Sequence, residues 1–133
     1  MKTMLLAVST IGLLLLLPSC GGGAGSATDP AAVIKGFDAA QNAKNIDTAM
    51  TFVADDAVFN TPTGNFTGKD QVRKWVEDQV KSNDKVESFD FQVTGEKVMW
   101  KTNIFRGGST SPVFVASNDA TVQAGKIKAF NAH

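Results

Sequence analysis

The chemistry open to this chain is limited by a short list of side chains. It has one histidine, His133, one cysteine, Cys20, and no tyrosine. A histidine-based metal centre and a Ser-His-Asp triad both lack their parts, so neither a metal nor a cofactor is expected. What remains is a stretch where acidic and amide side chains sit among apolar ones, Phe52 to Gly64, F-V-A-D-D-A-V-F-N-T-P-T-G. Asn60 can orient a ligand by donating and accepting hydrogen bonds. Thr61 cannot act as a base near neutral pH without a partner to take its proton. Of the carboxylates, Asp55 and Asp56 close a helical segment, where a structural role is the plainer reading. Asp90 alternates with Phe89 and Phe91 and should point away from the face they line. Asp119, near a strand start, could reach the mouth of a cavity.

The elements that would position these residues fit one domain. The chain has 133 residues, 43% of them apolar, and its 13 basic and 13 acidic side chains cancel. With no basic excess to neutralise phosphates, no nucleic-acid partner is expected. The front is different in kind. Lys2 precedes an apolar run from Met4 to Leu17 that is shorter than the roughly 20 residues of a membrane-spanning helix. A basic start, a short apolar core and small residues at its end describe a secretory signal. Leu17-Pro18-Ser19-Cys20 resembles the bacterial lipobox, which implies a signal peptide over 1–19 and lipidation of Cys20. Two or more acyl chains anchor stably where one does not. The Gly/Ser-rich segment that follows, to residue 29, reads as a flexible spacer. The implied address is the bacterial cell envelope, with the domain held at a membrane outside the cytoplasm.

From residue 30 onward the pattern is helices first and strands after. Asp29-Pro30 is an N-cap followed by proline at the first helical position. Val33, Ile34, Phe37 and Ala40 then share one face of a helix to about Ala43. Asn45 caps a second, short helix through Ile46, Ala49, Met50 and Val53. Ala57 to Asn60 is a short strand ended by Thr61-Pro62-Thr63-Gly64. Gly68-Lys69-Asp70 opens a third helix with Val72, Trp75, Val76 and Val80 on one face, and Lys74, Glu77, Asp78 and Lys81 on its solvated side. After Asn83-Asp84 the period falls to two, with Phe89, Phe91 and Val93 on one face of a strand. A turn at Thr94-Gly95-Glu96 leads to a strand in which Val98, Trp100, Thr102 and Ile104 alternate with Met99, Lys101, Asn103 and Phe105. Val113 to Ser117, Asp119 to Gln123 and Ile127 to Phe130 complete the sheet. This order predicts an α+β domain over 30–133 with its helices on one face of a mostly antiparallel sheet.

The phrases F-V-A-D-D-A-V-F-N-T-P-T-G, G-K-D-Q-V-R-K-W, Val98-Met99-Trp100 and Ala124-Gly125-Lys126-Ile127 resemble the nuclear-transport-factor-2-like superfamily, in its SnoaL-like and ketosteroid-isomerase-like branch. The resemblance implies a cone of three helices on a curved sheet, with a ligand space between them. In the isomerases the general base is an aspartate before the proline of this corner, and here that place is Thr61. The tyrosine donor of the first helix falls on Phe37, and the second donor, a protonated acid on a late strand, falls near Ser117. All three roles are missing or weakened, so keto-enol isomerisation is not expected.

The residues expected around a ligand are Asn60, Thr61, Phe37, Phe59, Trp75, Trp100 and Ser117, although the aromatic members could equally be plain core. The expected function is non-catalytic: a membrane-anchored lipoprotein whose domain binds a small apolar ligand or a protein partner. An envelope enzyme of the isomerase, cyclase or dehydratase type, and a structural or assembly module, are the alternatives. Met99, Phe105 and Val113, opposite Trp100, leave apolar surface for the homodimer contact common in the family.

Overall fold

The computed structural model describes residues 29–133. The expected signal peptide, the lipidation site Cys20 and the spacer up to residue 28 lie outside the described residues. Three helices come first in the main: α1 (Pro30–Asn42), α2 (Ile46–Thr51) and, after a hairpin, α3 (Lys69–Lys81). The strands are β1 (Val53–Thr61), β2 (Gly64–Thr67), β3 (Lys85–Thr94), β4 (Lys97–Phe105), β5 (Phe114–Gln123) and β6 (Lys126–Ala132). They form one sheet in the order β2-β1-β6-β5-β4-β3. Every neighbouring pair is antiparallel except β1 with β6. The α+β expectation therefore holds, with a mixed pair where the last strand returns beside the first.

Local chemistry accounts for the helix starts. Asp29 Oδ1 accepts from the Ala31 amide at 3.1 Å, and Pro30 costs nothing at a position whose N–H would be unpaired. Asn45 Oδ1 accepts from the Thr48 amide at 3.1 Å and caps α2. The corner between them turns on Lys44, at φ 58°. Helix α3 begins after Gly68, whose φ of 85° favours a residue without a side chain. Its buried residues Val72 and Val76 face inward, while Lys74, Asp78 and Lys81 are exposed.

The core lies between these helices and one face of the sheet. Phe59, fully buried, is its centre, with ring centroids of Phe37, Trp75 and Phe130 at 6.1, 5.6 and 4.9 Å. Such offset and edge contacts add to the area each ring buries. Helix α1 runs along β3, tied at three levels. The Asn42 amide group exchanges two hydrogen bonds with the Val86 backbone at 2.7 and 2.9 Å, Ser88 donates to Asp38, and Lys35 Nζ lies 4.9 Å from the Phe91 ring centre.

Several expectations need correction. The A-D-D-A corner is strand: β1 starts at Val53, and its register against β6 slips between Val53 and Val58. That irregularity leaves Asp55 and Asp56 both exposed, where Lys69 and Lys128 pair with them at 3.6 and 2.6 Å. Between the turn and α3, where sequence predicts no element, Asn65-Phe66-Thr67 belongs to a strand, β2, which pairs back on β1. Strand β5 is continuous from Phe114 to Gln123.

The largest correction is in β3. Phe89 pairs with Lys101 and Gln92 with Met99, so Asp90 and Phe91 together face the single residue Trp100. Asp90 sits at φ 56° in this bulge. The extra residue reverses the alternation: Phe91 stacks on Trp100 at 6.2 Å on the helix side, while Phe89 falls on the outer face with Lys101. Without it, Ser88 and Phe91 could not both face α1.

Candidate functional site

Between α1, α3 and the sheet lies a cavity of about 160 Å³. It opens at the end of the sheet where three connections meet. Thr61, Pro62 and Thr63 come from the β1–β2 turn, Asp84 from the α3–β3 connection, and Arg106 from the β4–β5 loop. Inward from this mouth the walls are paired rungs of β4 and β5: Ile104 with Phe114, Thr102 with Ala116, and Trp100 with Asn118. Phe37, Asp38 and Gln41 line it from α1, Trp75 and Gln79 from α3, and Phe130 from β6.

Four of the seven expected ligand residues line this space: Phe37, Thr61, Trp75 and Trp100. The Thr61 hydroxyl is occupied, donating to the Gly64 carbonyl at 3.0 Å with Thr63 Oγ1 at 2.9 Å. Phe59 is one layer behind the wall, sealed among aromatic rings. Asn60 and Ser117 are elsewhere. Ser117 pairs with Lys101 and is exposed on the outer face. Asn60 is exposed too. It donates to Asn131 Oδ1 at 2.8 Å, Asn131 donates to Asp119 Oδ1 at 2.8 Å, and His133 Nε2 lies 3.0 Å from Asp119 Oδ2. Asp119, weighed as a cavity group, is thereby committed to the outer surface. Parity explains both misplacements: one step along a strand exchanges the faces, and the inward neighbour of Ser117 is Asn118.

The polar centre of the cavity is instead a row of residues not singled out from sequence. Asn118 Nδ2 donates to Thr102 Oγ1 at 2.9 Å, Thr102 and Ser88 hydroxyls lie 3.1 Å apart, and Ser88 Oγ donates to Asp38 Oδ2. Burial pushes the Asp38 carboxyl up from 3.8 to about 7, against the opposing pull of the Ser88 hydrogen bond. A carboxyl poised there can be acid or base at neutral pH. Gln41, only 4% exposed, lines the same space and makes no side-chain hydrogen bond among the described residues. A signal for these two was present. Ile34, Phe37, Asp38 and Gln41 follow the i, i+3, i+4, i+7 rhythm of one helix face, so Asp38 and Gln41 are polar residues on the inward stripe.

Among the described residues no group of three or more His, Cys, Asp or Glu is placed to hold a metal ion. No described helix is long and apolar enough to cross a membrane.

This arrangement of helices and sheet is shared with solved structures of the nuclear-transport-factor-2-like kind. A nuclear-transport-factor-2-like protein from Cytophaga hutchinsonii superposes with TM-score 0.68 at 20% identity, over 82% of this chain and 92% of that one. A cystatin-fold protein from Novosphingobium aromaticivorans gives TM-score 0.68 at 22% identity, over 80% and 99%. A protein with the ketosteroid-isomerase-like fold from Catenulispora acidiphila, in complex with trimethylamine, gives 0.63 at 17% identity, over 76% and 83%. At these identities the likeness is one of fold. The family follows from sequence: residues 34–129 match the SnoaL-like domain, and the chain belongs to that family. No curated protein matches the chain significantly.

Proposed function

We propose that the domain is a small-molecule receptor, taking a compact ligand into the cavity between α1, α3 and the sheet. The observation that carries this is the preformed space itself, with aromatic walls on which a few polar groups, Asp38, Gln41, Thr102 and Asn118, converge. The Gln41 amide on that wall can both donate to and accept from a ligand. A cavity near 150 Å³ can hold a molecule about the size of benzene, so the enclosed part of the ligand is small. Its apolar body would lie against Phe37, Trp75, Trp100 and Phe130, with its polar end toward Asp38 and Gln41. In this reading the cavity is the ligand space of the family's cone, and the lipid on Cys20 holds the receptor at the membrane of a bacterial envelope. The outer sheet face, where Met99, Val113 and Val115 are exposed, would join two copies.

Titration of the full chain with fragment-sized ligands, followed by tryptophan fluorescence, tests the receptor reading, because Trp75 and Trp100 line the site. Binding in the wild type that disappears in the cavity-filling variant Ala116→Phe supports it. Binding that survives the filling refutes it.

A second reading, an envelope enzyme of the isomerase, cyclase or dehydratase type, is favoured by Asp38 alone. A carboxyl held near 7 inside an apolar cavity would serve as the proton-transfer group that Thr61 cannot be. Turnover abolished by Asp38→Asn would establish that reading, and turnover that persists in the variant would remove it.

A further inference from the structure

We infer that the ligand of this cavity is a small organic ammonium ion, held by the Asp38 carboxylate among aromatic walls. The inference rests on the receptor reading above and names its ligand class. The direction of the hydrogen bonds is the first ground. Asn118 gives its N–H to Thr102, and Ser88 gives its hydroxyl to Asp38, so the proton between Thr102 and Ser88 points toward Ser88. The donors of this row run one way and end on Asp38 Oδ2, the arrangement that stabilises an ionised carboxylate. The atoms that the row leaves without a donor, Asp38 Oδ1 and Asn118 Oδ1, are acceptors on residues that line the cavity.

The second ground is the missing counter-charge. A buried carboxylate is costly unless paired with a cation, and Asp38 has no ion pair among the described residues. Arg106 is the one basic side chain other than His133 on the lining. It is 61% exposed at the mouth, 3.8 Å from the Asp84 carboxylate and 5.3 Å from the Phe114 ring centre. Asp84, with a side chain only 9% exposed, is the ion-pair partner of Arg106, so the basic group at the mouth is already compensated and not available to Asp38. His133 has its ring engaged by Asp119 on the outer face. The interior thus offers negative charge and aromatic surface, the two features that attract an ammonium group. An anionic ligand would meet the unpaired Asp38 carboxylate with no free cation among the described residues of the lining to offset it.

The test uses two probes of one shape, choline and its uncharged carbon analogue 3,3-dimethylbutan-1-ol, titrated calorimetrically into the full chain. At pH 8 choline should bind roughly tenfold tighter than the alcohol, a margin within the reach of cation–π and charge attraction. Choline affinity should fall roughly tenfold between pH 8 and pH 6, because the cation must displace a proton from Asp38. Asp38→Asn should remove both the preference and the pH dependence. Equal affinities, or a preference for the alcohol, would overturn the ammonium assignment and leave the receptor reading standing. If neither probe binds, the ammonium assignment fails, while the receptor reading stands or falls with the fragment titration and Ala116→Phe. A preference and a pH profile that both persist in Asp38→Asn would overturn the role given to Asp38.

Discussion

Replacing Asp38 with asparagine should make this protein more stable at alkaline pH. The reasoning starts from burial, which raises the carboxyl from 3.8 to about 7. Between those values the folded protein holds a proton that the unfolded chain releases. Stability is therefore at its fullest below the unfolded value and declines as pH rises toward the folded one, the opposite of a salt-bridged aspartate. At about 1.4 kcal/mol per pH unit, the cost of ionising Asp38 approaches 4 kcal/mol above pH 7. Roughly 2.5 kcal/mol of it appears between pH 5 and pH 8. The carboxyl of Asp56, held below the usual range by its hydrogen bond with Lys128, titrates beneath that window and does not blur it. Asparagine is close in shape, still accepts from Ser88, and never ionises. Urea unfolding followed by tryptophan fluorescence should show the wild type losing about 2.5 kcal/mol from pH 5 to pH 8. Asp38→Asn should be nearly flat and the more stable of the two at pH 8. A wild type equally stable at both values, or a variant no more stable at pH 8, would refute the buried, charge-poor environment assigned to Asp38.

Other expectations follow from single contacts. A methyl group added at Gly36 would come within 2.6 Å of the Phe52 ring, so Gly36→Ala should cost roughly 1–3 kcal/mol in the same unfolding assay. Thr102→Val keeps shape but strands the Asn118 amide, and should destabilise by about 1–3 kcal/mol while weakening any ligand held near Asp38. For the proposed lipidation of Cys20, which lies outside the described residues, Cys20→Ser should move the protein from the membrane fraction to the soluble one, read by fractionation and by loss of acyl mass. For the proposed pairing of two copies, Met99→Lys together with Val115→Lys, on the exposed outer face, should leave the fold intact and give a monomer in sedimentation where the wild type is a dimer.

The parts of the fold legible in sequence are those with a strong local cause. Asp29-Pro30 and Asn45 announce helix starts because a cap is a contact within a few residues. The alternation around Trp100 is correct because β4 is regular from Lys97 to Phe105. The failures share one origin. A period of two carries no record of where it slips, so the bulge at Asp90 and the irregularity after Val53 were invisible, and Phe89 went to the wrong face. Counting along β5 missed by one residue and chose Ser117 over Asn118. The site suffered further from attention to family positions. The family's donor position falls on Phe37, while its neighbour Asp38, on the inward stripe of the same helix, carries the carboxyl that burial perturbs in the cavity. Its partner Ser88 is 50 residues away, and only tertiary structure brings the two together.

The most direct test of the receptor reading is a native mass spectrum of the protein purified gently from its own host, compared with Ala116→Phe prepared in the same way. The account predicts a small adduct on the wild type that is absent from the filled variant. Were the wild type to carry no adduct, or the variant the same one, the cavity would not be a ligand site.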